Sequence, residues 1–332
     1  MVTMDDVARL AGVSKMTVSN VVNNRGGVSE PVRRRVREAI ERSGYRVNVS
    51  ARTLRSGRTG VIGLAVPEID RPYFGRLASH VIEAAGRRGF HVAIEQTGAA
   101  ASGEIDAIAH ARTLQFDGLI LSAVGLDGRE RVPPEGDHPI VMLGEQDFAG
   151  RFDHVAMPNE EATAAATAHL LDRGCRAVAI VTGRLDLGLN MVTARHSGYL
   201  SALAARGLDA DPGLRVELDT LTMEAGREAA HRLAASGRPF DGVVAVTDTV
   251  AIGVLRGLAD AGLRVPDDVR LAGFDDIAEA AYLVPSLTTV APGHAWMAEK
   301  AVELVTARIA DPGRPTGRFV APYELVRRES TR

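Results

Sequence analysis

Apolar residues recur at helical spacing in three short blocks at the start of the chain, then in strand–helix alternation through the rest. In the first block Thr3 is placed to N-cap a helix running through Val7 and Leu10 to Ala11, with Asp5 and Asp6 in the turn where the helix dipole favours acids. Gly12-Val13 then forces a tight turn, Gly12 supplying the backbone freedom, and Ser14 is the next N-cap. From Lys15 the apolar residues Val18, Val21 and Val22 fall at i, i+3 and i+4, so one face is buried. At about 100 degrees per residue the opposite face centres on Met16 and Asn20, flanked by Lys15, Ser19 and Asn23. A third helix follows Ser29-Glu30-Pro31, with Val32, Val36 and Ile40 inward and Arg33, Arg34, Arg35 and Arg37 on its remaining faces.

From residue 61 onward the pattern changes. A buried strand is expected over 61–66, a helix over about 72–88, and strand cores over 91–94, 118–121 and 140–143. A second series runs helix 160–172, strand 177–181, helix 192–205, strand 243–246, helix 249–261 and strand 269–274. Strands alternating with helices imply parallel sheets covered on both faces. Two series imply two lobes, with ligand held between them outside the C-terminal ends of the strands. Tyr73 and Phe74 after the first strand, and Ser122 after the third, are then candidates to line that pocket, the two rings being able to stack on a sugar or a base.

The first block carries its own chemistry. Two helices joined by a glycine-containing turn make a helix-turn-helix, whose second helix enters the major groove. Asn20 can contact adenine bidentately, Lys15 can donate to guanine and Met16 can pack on a thymine methyl. Thr3, Ser14, Thr17 and Ser29 sit at or near helix starts, where hydroxyls and backbone amides bind phosphate; Ser19 and Asn23 flank the reading face and are assigned to phosphate too. A three-helix bundle that binds protein would explain the valines. It would not explain hydroxyl-rich helix starts together with a basic excess.

Charge sharpens the division. Residues 1–60 hold 12 Lys/Arg against 5 Asp/Glu, whereas residues 61–332 hold 27 against 37. A basic head on an acidic body suggests that only the head meets a polyanion. At 332 residues the chain is long enough for two or three domains. No apolar run reaches the roughly 18–20 residues of a membrane span, and the start has no signal-peptide h-region. The single cysteine, Cys175, excludes an internal disulfide and a cysteine-based zinc site and fits a reducing cytoplasm. No membrane partner and no cofactor are expected.

The run Val2-Thr-Met-Asp-Asp-Val-Ala-Arg-Leu-Ala-Gly-Val-Ser14, followed by Thr17-Val-Ser-Asn-Val-Val-Asn23, resembles the lactose/galactose repressor (LacI) family. The resemblance continues through Val28-Ser-Glu30, Ser43-Gly-Tyr45, Asn48 to Leu54, and the body as far as Glu324-Leu-Val-Arg-Arg-Glu-Ser330. It implies an all-α helix-turn-helix domain over 1–45, a hinge over 46–60, and an α/β effector-binding and dimerisation body over 61–332. The body is expected as two doubly wound parallel-sheet lobes of the type I periplasmic-binding-protein kind. The chain would cross between them near Met157, Thr289 and Val320, giving one lobe of approximately 61–157 and 290–320 and another of approximately 158–289 and 321–332. By composition 46–60 reads as a short basic linker. The resemblance makes it a hinge helix that folds on operator DNA, with Leu54 as the minor-groove wedge, Ala51 beside it, and Val47 where the family often has proline.

The resemblance also places Arg195, in Ala-Arg-His-Ser-Gly-Tyr199, and Asp275, in Gly-Phe-Asp-Asp276, in the cleft. Departures stand beside them. Pro158-Asn159 replaces a frequent Asp-Asn, Thr247-Asp248 replaces Asn-Asp, and Leu221 stands where the family has an aromatic lid. One anionic and one ring contact would be missing, so the ligand is not a typical sugar or tight binding is lost. The expected function is a cytoplasmic, homodimeric repressor whose grip on double-stranded operator DNA is set by a sugar- or nucleoside-like effector. No leucine-heptad tail follows Arg328, so a coiled-coil tetramer is not expected. Three other functions compete with this one. An enzyme lacks support, since there is no Walker A run, HExxH, GxSxG elbow or strand-borne GxGxxG, and Asp248, Asp275 and Asp276 form only a weak carboxylate pattern. A secreted sugar carrier conflicts with the basic head. A ligand-independent architectural DNA binder stays open on the pocket departures.

Overall fold

A computed structural model describes residues 2–22, 26–45, 58–126, 138–146, 148–186 and 190–332. The expectations for Asn23, Val47, Ala51 and Leu54 lie outside the described residues. The chain divides into two compact units, Met1–Thr59 and Gly60–Arg332.

The head unit holds α1 (Met4–Ala11), α2 (Lys15–Val22) and α3 (Glu30–Ser43). Its turns follow from local chemistry. Thr3 Oγ1 accepts from the Asp6 amide at 3.3 Å while the Asp6 carboxylate accepts from the Thr3 amide at 2.9 Å, a reciprocal capping box. Gly12 takes φ 63°, and beyond it the Val13 amide donates to Ala8 O at 3.0 Å. That left-handed residue costs glycine nothing and lets the chain double back into α2. Ser14 Oγ then accepts from the Thr17 amide at 3.1 Å, capping α2. Val7, Ala8, Ala11, Val18, Val21, Val36 and Ala39 form the core, with Val22, Val32 and Ile40 packed partly buried around it and Leu10 exposed.

The body unit has two six-stranded sheets. The first contains β1 (Val61–Val66), β2 (His91–Gln96), β3 (Gly118–Ser122), β4 (Ile140–Leu143), β5 (Asp153–Ala156) and β11 (Arg318–Val320). Its order is β11-β5-β4-β3-β1-β2, and every pair is parallel. The second contains β6 (Val178–Gly183), β7 (Arg215–Leu218), β8 (Gly242–Ala245), β9 (Arg270–Phe274), β10 (Thr288–Ala291) and β12 (Glu324–Val326), in the order β12-β10-β9-β8-β6-β7. Only β12 runs antiparallel to its neighbour. The helices are α4 (Pro72–Arg87), α5 (Ala101–Thr113), α6 (Asn159–Asp172), α7 (Met191–Ala204), α8 (Met223–Ala235), α9 (Asp248–Asp260) and α10 (His294–Ala310). β1, β3, β4, β6 and β8 are buried along almost their whole length, as strands covered on both faces must be.

The chain passes between the lobes at Met157-Pro158, at Pro292-Gly293 and at 321–323, as the sheet assignments require. Thr289 is therefore not a crossing point. It lies inside β10, pairs with Val326 and Gly273, and residues 290–291 belong to the second sheet rather than the first. β10, buried from Thr288 to Val290, carries the ladder on to Ala291, and Pro292 beyond it has no amide to donate. Val320 is likewise the last residue of β11, with the crossing just beyond it.

One buried carboxylate shapes the rim of the cleft. Glu104 on α5, fully buried, accepts from the amides of Val124, Gly125 and Leu126 at 2.7, 2.9 and 2.9 Å, fixing the segment that leaves β3. Glu104→Ala would leave three amides without that partner. Each buried orphan costs about 1–3 kcal/mol, partly recovered by entering water. The expected outcome is a fall of roughly 5–10 °C in the body's thermal midpoint. A midpoint within a degree of the parent's would show that the loop holds itself.

Candidate functional site

On the head, the face opposite the core presents Met16, 70% exposed, with Asn20 and Ser19 half-buried beside it. Lys15 Nζ donates to Asp5 Oδ2 at 2.7 Å, so its charge is held at the edge of that face by an exposed pair, a weak contact that is readily exchanged. The hydroxyls of Ser14 and Thr17 lie 2.9 Å apart at the start of α2, and Thr3 Oγ1 donates to Asp6 at 2.7 Å. Ser29 precedes α3 and makes no side-chain cap bond. Of the candidates for DNA contact, those described thus sit at the helix starts or on the outer face of α2.

In the body a cavity of about 450 Å³ opens between the two lobes. Its walls include residues at or just past the C-terminal ends of the strands: Glu68 after β1, Ser122 at the end of β3, Glu145 after β4, Met157 after β5, Arg184 after β6, Asp219 and Leu221 after β7, Thr247 after β8 and Asp275 after β9. Tyr73 and Phe74, Ser122, Arg195, Leu221 and Asp275, the six residues singled out from sequence for this pocket, all line it.

Arg195 is the hub. It is 2% exposed. Nε donates to Asn159 Oδ1 at 2.7 Å, Nη1 donates to Val246 O, and Nη2 faces Asp275 Oδ1 at 3.5 Å. The guanidinium carbon lies 3.5 Å over the Phe274 ring, a stacked cation–π contact. Burial pulls the Arg195 pKa down and Asp275 opposes that pull. Asp275 itself, at φ 120° in a region that favours glycine, is pushed up by burial to about 6, with Arg195 holding it lower than burial alone would. Strained backbone of this kind persists only where its surroundings over-determine it.

Asp248 does not join this wall. It is fully buried, its Oδ1 accepting from Thr289 Oγ1 at 2.6 Å and its Oδ2 from the Ile277 amide at 3.0 Å. Burial and the nearby Asp275 charge push it up to about 8. Asp276 pairs with Arg328 Nη2 at 2.7 Å and takes Arg76 Nη1 of α4 on its carbonyl oxygen. The three aspartates therefore have separate partners, and Asp276 ties the second sheet's loop to a helix of the first lobe.

These shifts make body stability depend on pH. Folded Asp275 and Asp248 hold protons up to about pH 6 and 8, where an unfolded chain released them near about 4. The folded state binds more protons across that window, so stability falls as pH rises through it. Asp248→Asn should flatten the upper part, worth at most about 1.4 kcal/mol per pH unit. Urea midpoints of parent and variant at pH 6, 7 and 8 test this; parallel profiles would contradict it.

Sequence reasoning missed Glu145, Asn190 and Arg71 in this cavity. The strand 140–143 was expected, so the rule that ligands bind past strand ends could have reached Glu145. It places a carboxylate in the cleft wall beside Met157 and Asn159. Thr247 caps α9 through its hydroxyl, which accepts from the Val250 amide at 3.2 Å. Among the described residues no group of three His, Cys, Asp or Glu is placed to hold a metal ion, and no helix is long and apolar enough to cross a membrane.

A helix-turn-helix head on a two-lobed α/β body with a cleft at the strand ends defines a bacterial-type regulator with a binding-protein-like sensor. The family described as bacterial regulatory proteins, lacI family, matches residues 3–48, and a periplasmic binding protein-like domain matches residues 167–331. The chain is 32% identical over 294 residues to the HTH-type transcriptional regulator AscG of Escherichia coli K12, covering 87% of each. A LacI-family regulator structure from Sanguibacter keddieii superposes with a TM-score of 0.76 at 42% identity, covering 83% of this chain and 99% of that one. A CelR–cellobiose complex does so with 0.73 at 28% identity, covering 99% and 100%. The chain belongs to the LacI family.

Proposed function

We propose that this protein is a cytoplasmic transcriptional repressor, a homodimer whose two heads bind a palindromic operator under the control of a small molecule held between the lobes. The observation that carries the reading is a cleft built around a buried Arg195–Asp275 pair on the same chain as a helix face of exposed Met16 and half-buried Asn20. Lys15, Met16 and Asn20 read bases in the major groove. Thr3, Ser14, Thr17, Ser19, Asn23 and Ser29 fix the head on phosphates, and Leu54 with Ala51 enters the minor groove. Tyr73, Phe74, Ser122, Arg195, Leu221 and Asp275 hold the effector. A role as regulator rather than enzyme fits the separate partners of Asp248, Asp275 and Asp276. The open cavity favours a true sensor over a ligand-blind DNA binder.

The mechanism follows from linkage. Ligand that draws the lobes together shifts the residues near 60 that lead to the heads, so operator affinity changes. By reciprocity operator must change ligand affinity by the same factor. Selection of bound sequences from random duplex DNA tests the DNA half. The expected result is a two-fold symmetric site with half-sites about 10 base pairs apart, or a multiple of that. Leu54→Ala should keep the fold and weaken binding to that site, because an apolar wedge offsets its unstacking cost only on specific DNA. Selected sites without symmetry, or equal operator affinity of parent and variant, would count against these assignments.

A further inference from the structure

Given the outer face of α2 as the DNA contact, we infer that Lys15 is an acylation site: an activated acyl donor, an acyl phosphate or an acyl thioester, modifies its amine while the head is off DNA and blocks its return to the operator.

The sequence narrows the target. The chain carries 39 Lys and Arg side chains, and only two of them are lysines, Lys15 and Lys300. A guanidinium stays protonated and has no lone pair to give to an acyl carbon, whereas a lysine ammonium exchanges its protons with water and passes through the free amine. A stable acyl amide can therefore form at two basic side chains. One of the two stands at the start of α2, next to Met16 on the face that also holds Asn20.

The structure separates the two lysines. The Lys300 side chain on α10 is 22% exposed. Its Nζ donates to both carboxylate oxygens of Glu303, at 3.0 and 2.8 Å, and lies 5.1 Å from the centre of the Phe319 ring. A paired carboxylate and a ring both favour the ammonium over the amine, and the burial leaves an acyl carbon little room to approach. The Lys15 side chain is 61% exposed, and its described contact is with Asp5 Oδ2 at 2.7 Å, on a side chain itself 58% exposed. A surface pair of this kind contributes little and exchanges readily with water.

The step needs no oxidant or reductant. Lys15 Nζ loses a proton to water, and its lone pair then forms a bond to the acyl carbon. The carbon–oxygen bond of the acyl phosphate, or the carbon–sulfur bond of the thioester, breaks. Phosphate or thiolate leaves with the electron pair, and a second proton goes from nitrogen to water. The product is a neutral amide that can no longer donate as an ammonium to a guanine or to Asp5. Asp5 is left without its cation beside a face that must meet phosphates, so both changes oppose DNA binding. Bound operator covers the same amine. An effector that releases operator thereby exposes Lys15, and the amide holds the protein off DNA after the effector has gone.

The test incubates the full chain with acetyl phosphate and, in a parallel arm, with acetyl-CoA, with and without a duplex carrying the selected operator. Peptide mass spectrometry locates the acetyl groups, and the arm in which Lys15 reacts faster identifies the donor. Lys15 should be acetylated about five-fold or more faster than Lys300. Operator duplex should slow Lys15 by a similar factor and leave the Lys300 rate unchanged. Treated protein should bind operator about ten-fold or more weakly than untreated protein, within the range that loss of a base contact gives, and Lys300→Arg should lose the same factor on treatment. Lys15→Arg, whatever its starting affinity, should keep that affinity through the treatment. No acetylation of Lys15 by either donor, equal or faster modification of Lys300, a Lys15 rate indifferent to operator, or a treated Lys15→Arg protein that weakens as the parent does would each overturn the inference. The wider reading fails separately. Untreated protein that selects no duplex sequence would remove the DNA reader, while the ratio of Lys15 to Lys300 acetylation would still decide the acylation site.

Discussion

Arg195→Ala is expected to lower the thermal midpoint of the body by roughly 10 °C and to abolish the operator response to effector, while leaving DNA binding by the head in place. The side chain is 2% exposed. Its loss removes a donor from Asn159 and from Val246 O, uncovers the Phe274 ring, and strips Asp275 of its cation. Breaking a buried pair from one side costs about 3–5 kcal/mol, and each kcal/mol moves the midpoint of a body this size by roughly 2–4 °C. Stability loss alone would not identify a ligand contact, so Arg195→Lys is the second arm. Lysine keeps the charge beside Asp275 but lacks the fork that can serve Asn159, Val246 and a ligand together. It should recover much of the midpoint and little of the response. Calorimetry and operator anisotropy with and without effector separate the two effects. An Arg195→Ala protein that melts with the parent and responds like it would remove Arg195 from the site.

The head was legible almost residue by residue because its determinants are local. Thr3 meets Asp6, Gly12 turns the chain, and Ser14 meets Thr17, all within three or four positions. In the body, β1 and β4 are apolar runs and read as buried strands. β5 did not, since it opens on Asp153-His154. Its fully buried carboxylate accepts from Arg308 at 2.9 Å and from the Gly317 amide at 3.1 Å, partners 155 and 164 residues away that no local pattern announces. β11 and β12 are three residues each and gain their ladders from β5 and β10. The cleft divides the same way. Arg195 and Asp275 were placed through resemblance, and Tyr73 and Ser122 through the rule of strand ends. Glu145 was within reach of the same rule, since it follows the expected strand 140–143, whereas Asn190 lies seven residues beyond the end of β6 and is brought to the cavity only by the fold. Asp248 shows the converse: its neighbour Thr247 lines the cleft, yet its own carboxylate turns inward to Thr289.

Val18→Asp should abolish operator binding altogether while the body melts and binds ligand as before. Val18 is fully buried at the centre of the head, among Val7, Ala8, Val21 and Val36. The described salt bridges of the head lie on its surface, with Asp5, Asp6, Glu30 and Glu38 exposed or half-exposed, so none offers a cation to a carboxylate at position 18. Burying an unpaired charge costs several kcal/mol even after relaxation. The head unit ends at Thr59, and a domain that small has little stability to lose. The expected outcome is therefore an unfolded head on an intact body. Hydrogen exchange would show fast-exchanging amides across Met4–Ser43 and unchanged protection in β1, β3 and β8, and anisotropy would show no specific DNA complex. Val18→Ala keeps the seam apolar and should bind operator with a modest loss. If Val18→Asp unfolded the body as well, the two units would share one cooperative transition, and head and sensor would have to be treated as a single thermodynamic element.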